Sequence, residues 1–104
     1  MQEPDNRHRA ITVAATYSEL ASRFPMAFPL PPVPLAIGID KMLMVEGFSR
    51  RRMRHFLRRY CSRPEYLFCL IAGRSRIGPH GGMLGVVTES EAFYARSKLE
   101  QGTW

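Results

Sequence analysis

Residues 25–35 read PMAFPLPPVPL and hold five prolines. Proline has no backbone N–H and fixes φ, so this stretch can be neither helix interior nor central strand. The residue before each proline is also pushed out of the α region. The chain must run extended here, along a polyproline-II-like path. A stiff connector that packs Phe28, Leu30 and Leu35 onto a core is the expected role. A ligand for a proline-binding groove is the competing one, but a PxxP match is only compositional.

The connector splits 104 residues into a helical piece before it and a longer piece after it, within one domain. Residues 1–11 are polar, charged and without periodicity, and read as a flexible basic tail. The domain proper is expected over 12–101, with 102–104 as a C-terminal end. Thr12 to Phe24 has helical spacing, with Val13, Tyr17, Leu20, Ala21 and Phe24 on one face. Thr16-x-x-Glu19 has the form of a capping box, although Thr12 is an equal candidate for the start. Asp40 can cap a short helix over 41–46, closed by Gly47. Ser49 caps a stronger helix from Arg50 to about Cys61. Ser62-x-x-Glu65, with Pro64 in the first turn, opens a helix to Ala72. Residues 74–87 carry Gly-Pro and Gly-Gly punctuation between two β-prone pieces and read as a small hairpin. Thr88-x-x-Glu91 caps a final helix to about Leu99, followed by Gly102. The fold class is α+β and mainly helical: a compact bundle of about five helices with one β-hairpin.

Several function classes are disfavoured. No apolar run approaches the roughly 18 residues of a membrane span, and the N-terminus lacks the apolar region of a signal peptide. Cys61 and Cys69 are too few for a disulfide framework and read as small packed thiols in a reducing cytoplasm. His8, His55 and His80 are scattered, with no C-x-x-C or H-x-x-x-H pair, so no metal or other cofactor is expected. There is no paired carboxylate, nucleophile triad or phosphate loop, which argues against an enzyme. His80 in the glycine-rich turn reads as a solvent-exposed histidine.

Charge gives the positive signal. Fifteen Lys+Arg face nine Asp+Glu, for a net +6, and thirteen of the fifteen are Arg. Arg presents a planar fork that fits phosphate bidentately and stacks on bases. Seven Arg and no acid fall in residues 49–63, SRRRMRHFLRRYCSR. On a helix, Met53, Phe56, Leu57 and Tyr60 gather on the core side. Arg50, Arg54 and Arg58 form a row one turn apart beside that stripe, while Arg51, Arg52, His55 and Arg59 continue round the exposed side. With no acid at i±4 the row repels itself, and a polyanion would relieve it. A merely solvated face would mix both signs. Tyr66 follows in the next helix, with Arg74 and Arg76 at the start of the hairpin. An aromatic ring beside a basic row suits unpaired nucleotides, because a base can stack on it; equally, Tyr66 reads as a core tyrosine with its hydroxyl at the rim.

These pieces, in this order, resemble the ProQ/FinO family of bacterial RNA-binding domains. They are RFPMAF at 23–28, PLAIGI at 34–39, SRRRMRHFLRRY at 49–60, EYL at 65–67, AGRSRI at 72–77, HGG at 80–82, GVVTESE at 85–91 and ARSKL at 95–99. The likeness covers roughly residues 15–100. It implies a compact, mainly helical fold with a small hairpin. It also implies binding of terminator-like stems with a single-stranded 3′ end, and RNA chaperone or stabilising activity toward small regulatory RNAs and messenger 3′ ends, with no catalysis. By position, the family's basic row corresponds to Arg50, Arg54 and Arg58. Its YL tyrosine corresponds to Tyr66, the Arg opening its hairpin motif to Arg76, and a basic edge position to Arg23. Three features depart from the family pattern: Ala36 stands where Lys is common, Gly78-Pro79-His80-Gly81 replaces an acidic turn, and the helix between Ile39 and Phe48 is short. The chain is expected to be a minimal, monomeric, cytoplasmic version. The alternatives are a DNA-binding module that uses the basic helix and a protein-interaction adaptor that uses the proline segment.

Overall fold

The computed structural model describes the backbone of residues 4–72 and 74–102 and the side chains from residue 13 onward, residue 73 excepted. Its elements in order are α1 (Pro4–Arg23), α2 (Ile39–Val45), α3 (Arg50–Cys61), α4 (Pro64–Ile71), β1 (Ser75–Ile77), β2 (Met83–Val86) and α5 (Glu89–Gln101). This is the expected α+β order of five helices and one hairpin. Helix α1 starts at Pro4, however, and so takes in residues that the sequence assigns to a tail. No proline or glycine lies between Pro4 and Pro25 to break it, and proline is well suited to a first helical position.

Helices α1 and α2 pack on α3, α3 touches α4, and α4 lies along α5. The core is built from Leu20 and Phe24 of α1, Phe28 and Leu35 of the proline segment, Leu43, Met53, Phe56, Tyr60, Leu67 and Ala95. Phe28 and Leu35 are buried as expected. Leu30 is not: it is 79% exposed. Prolines on both sides set its direction, and the Leu30–Pro31 peptide bond is cis. The connector also does something that the sequence does not announce. The Ile77 N–H donates to the Pro34 carbonyl at 2.8 Å, and the Ala36 N–H donates to the Ile77 carbonyl at 2.9 Å. Leu35 thereby makes a parallel bridge to β1 and fixes the proline segment against the hairpin.

In the hairpin, Ser75 pairs with Val86 and Ile77 with Met83, antiparallel, with an irregularity between the two pairs. Gly85 sits inside β2 with φ +110°, a left-handed backbone that an L side chain would strain.

Three sequences of capping-box form end differently. Thr88 accepts from the Glu91 N–H at 3.1 Å, and the Thr88 N–H donates to the Glu91 carboxylate at 2.9 Å, a complete box. Ser62 is no cap. Pro64 occupies the first position of α4, so Arg63 is the N-cap residue, and the Ser62 hydroxyl donates back to the Arg58 carbonyl at 2.9 Å. Thr16 lies inside α1, fully buried. Asp40 stands in the first turn of α2, whose N-cap is Gly38 in a left-handed conformation.

Candidate nucleic-acid interface

Helix α3 carries the basic face. The Ser49 hydroxyl accepts from the Arg52 N–H at 3.1 Å and starts the helix. Met53, Phe56 and Tyr60 then anchor its apolar side. The opposite side presents Arg50, Arg51, Arg54, Arg58 and Arg59, all exposed. Among the described residues, none of these five side chains has a hydrogen bond, ion pair or ring contact. Residues four apart on a helix are separated by about 6 Å along its axis. Arg50, Arg54 and Arg58 therefore make one ridge, and Arg51, His55 and Arg59 a second beside it.

Arg52 departs from the sequence expectation. Its Nε donates to Thr16 Oγ1 at 2.8 Å, its NH2 donates to Glu19 Oε1 at 2.9 Å, and its guanidinium lies 5.4 Å from the Phe48 ring centre. The Thr16/Glu19 pair, one helical turn apart, is thus a clamp that receives Arg52 and ties α1 to α3. Arg52 is structural, and the free cations of the helix are its neighbours.

Arg23 is also engaged. It donates to the Glu46 carbonyl at 3.1 Å, approaches Glu19 at 3.7 Å, and lies 5.1 Å from Phe24 and 4.9 Å from Phe48. It holds the end of α1 against the end of α2. Glu46 in turn meets His80 Nε2 at 2.7 Å, and the His80 ring sits edge-on to Phe24 at 5.6 Å. His80 is exposed, as expected, but it is tethered rather than free.

The structure brings Tyr66 and Arg76 together on the backbone of one residue, Leu35. The Tyr66 hydroxyl accepts from the Leu35 N–H at 2.9 Å, and Arg76 NH1 donates to the Leu35 carbonyl at 2.8 Å. Arg76 also meets the Glu91 carboxylate at 2.9 Å. Both side chains are buried, at 4% and 7% exposure, so they build the wall between the proline segment, the hairpin and α5. Arg74 is exposed at the hairpin entrance. Burial pushes the Tyr66 and Tyr60 phenols well above their ordinary range. Burial also pushes the Cys61 thiol up to about 11, with a hydrogen bond from Tyr66 pulling partly back, and the Cys69 thiol up to about 12. Neither is a thiolate at neutral pH, so neither is a nucleophile. Glu91 moves the other way: the Thr88 N–H and then Arg76 hold its carboxyl below the usual range.

A cleft of about 680 Å³ opens between α1, the proline segment, α3 and the start of α4. Tyr17, Phe56, Tyr60 and Tyr66 line it together with Leu30, Arg59 and Arg63. The sequence pattern gave no notice that Tyr17 and Arg59 share a wall. Among the described residues, no group of three His, Cys, Asp or Glu side chains converges as a metal site, and no helix is long and apolar enough to cross a membrane.

The chain is similar to known proteins over almost its whole length. The ProQ/FINO family model matches residues 11–103. The RNA chaperone ProQ of Haemophilus ducreyi is 32% identical, over 92% of this chain and 57% of that protein. The chain thus spans a little over half the length of that relative. Among solved structures, a FinO-like RNA chaperone from Neisseria meningitidis superposes with a TM-score of 0.73 at 24% identity, over 88% of this chain and 76% of that one. A ProQ homolog from Legionella pneumophila superposes with a TM-score of 0.68 at 29% identity, over 82% of this chain and 78% of that one.

Proposed function

Because the chain belongs to the ProQ/FinO family, we propose that it is an RNA-binding chaperone that grips structured RNA with the acid-free face of α3. The observation that carries this reading is the set of five exposed guanidiniums, Arg50, Arg51, Arg54, Arg58 and Arg59, unpartnered among the described residues, on a helix whose other side is locked into the core. A rigid cationic ridge without internal ion pairs gives its full charge to a partner. The major groove of A-form RNA is too deep and narrow for side chains, so the ridge reads phosphates and shape rather than sequence. Each phosphate neutralised releases counterions and steepens the salt dependence.

The ligand in this reading is a terminator-like stem with a single-stranded 3′ end. The stem lies along Arg50, Arg54 and Arg58, with Arg51 beside them. The terminal nucleotides lie against the wall that Tyr66 and Arg76 hold in place, with Arg74 at its rim and Arg23 at the far edge. Covering the 3′ end would protect small regulatory RNAs and messenger 3′ ends from exonucleases. Loose binding of two strands would promote their pairing. The protein acts as a monomer in the bacterial cytoplasm.

The test is a gel-shift series at about 150 mM salt, near physiological ionic strength. One terminator hairpin is offered with its 3′ tail, without it, and as DNA of the same sequence. Tight binding to tailed RNA alone supports the reading. Equal binding to all three reduces α3 to a generic polyanion grip, and preference for duplex DNA overturns the RNA assignment.

A further inference from the structure

The aromatic cleft has features that stem binding does not use. Phe56, Tyr60 and Tyr17 form a continuous stack: Phe56 and Tyr60 lie 5.3 Å apart at 22°, and Tyr60 and Tyr17 lie 6.1 Å apart at 24°. Burial falls along it, from Phe56 at 1% exposure through Tyr60 at 7% to Tyr17, which is only half-buried. The Tyr17 hydroxyl donates to the Phe28 carbonyl at 3.3 Å, which orients the outermost ring. Tyr60, a wall of the cleft, has a buried hydroxyl with no hydrogen-bond partner among the described residues. An unpaired buried hydroxyl is unfavourable and calls for an explanation. Leu30, held out at 79% exposure on the proline segment, stands at the mouth. The second basic ridge, Arg51, His55 and Arg59, leads into this opening. Arg63 continues it, tempered by Glu65 at 3.8 Å, an exposed pair of little strength. None of the cleft's walls comes from the hairpin.

We propose that this cleft is a further RNA site that takes an unpaired nucleotide, the base extending the Phe56–Tyr60–Tyr17 stack and its phosphate resting on Arg59. The chemistry selects this occupant. A ring stack that ends in a half-buried tyrosine favours a flat π-system, and every base has one. The free guanidinium at the rim favours a phosphate beside it. A paired base does not fit, because its ring faces are already stacked within the helix. The volume lies within the range of sites for small ligands. The site rests on the RNA-binding reading and borders the wall assigned to the 3′ end, with which it shares Tyr66, so the two are told apart with RNAs whose ends are identical. It gives the protein a hold on a bulge or junction beside the stem, where strand exchange begins.

The experiment uses two hairpins with identical ends, one fully paired and one carrying an internal unpaired 2-aminopurine. Ala14→Trp blocks the cleft from the exposed side of α1, a position where a large side chain leaves the core untouched. Arg59→Gln removes the phosphate contact without filling space. Wild-type protein should quench the 2-aminopurine. Ala14→Trp should abolish quenching and weaken the bulged hairpin about tenfold, roughly one stacked base, while the paired hairpin is unaffected. Arg59→Gln should weaken the bulged hairpin more than the paired one. If Ala14→Trp binds and quenches like wild type, the cleft is not a nucleotide site, although RNA binding stands. If wild-type protein binds neither hairpin, the RNA reading fails and this site with it.

Discussion

Tyr66→Phe separates two roles that a tyrosine beside a basic face can have. The substitution keeps the ring and removes one atom. In this structure that atom accepts the Leu35 N–H at 2.9 Å in a buried setting. Without it the amide is orphaned, which costs about 1–3 kcal/mol. Phenylalanine is spared the desolvation of a hydroxyl, which places the net loss at about 1–2 kcal/mol. For a domain of this size each kcal/mol lowers Tm by about 4–8 °C, so the melt should fall by roughly 4–16 °C. Arg76 holds the carbonyl of the same residue, so the loss should loosen the contact between proline segment and hairpin first. Thermal melts followed by circular dichroism read the stability. Fluorescence anisotropy with tailed hairpin RNA at 25 °C, where the variant is still folded, reads binding. The expected result is a lowered Tm with RNA affinity within about twofold of wild type, a change of less than about half a kcal/mol. An unchanged Tm with lost affinity would refute the reasoning, because the hydroxyl would then serve RNA and not Leu35.

Arg52→Ala and Arg54→Ala should behave oppositely although they are two residues apart. The first breaks the clamp on Thr16 and Glu19 and should lower stability by about 1–3 kcal/mol in urea denaturation; the second should leave the unfolding midpoint in place. Glu91→Gln should lower Tm at pH 7, and the gap to wild type should close as pH falls. The folded state favours the Glu91 carboxylate, so its contribution is present above the ordinary value near 4.5 and disappears as pH drops through the depressed folded value. Cys61 and Cys69 should react with a thiol reagent at pH 8 far more slowly than free cysteine, because burial holds them up to about 11 and about 12; rapid labelling of the native protein would contradict that burial.

The element order was legible because its punctuation is local. Five prolines, the Ser49 and Thr88 caps, and Gly102 mark ends without reference to distant chain. The core side of α3 followed from spacing alone. What escaped the sequence depends on partners far along it. Thr16-x-x-Glu19 and Thr88-x-x-Glu91 share one pattern, yet the first meets a guanidinium 36 residues away. A signal for Arg52 did exist: it stands one turn before buried Phe56, about 40° from it, and so flanks the core rather than solvent. Pro64 likewise marks Arg63, not Ser62, as the residue before α4. For Arg76 no such signal existed, because its burial needs the Leu35 carbonyl 41 residues upstream and Glu91 downstream. The cleft joins α1, the connector, α3 and the start of α4, and no local pattern reports a surface made from separated segments.

The central claim is that the free guanidiniums of α3 hold the RNA backbone. The most direct measurement is the salt dependence of binding to one tailed hairpin for wild type, Arg54→Ala and Arg58→Ala. Each variant should bind more weakly, and each should lower the slope of log affinity against log salt by about one, with Tm unchanged. Wild-type affinity and slope in both variants would contradict the account.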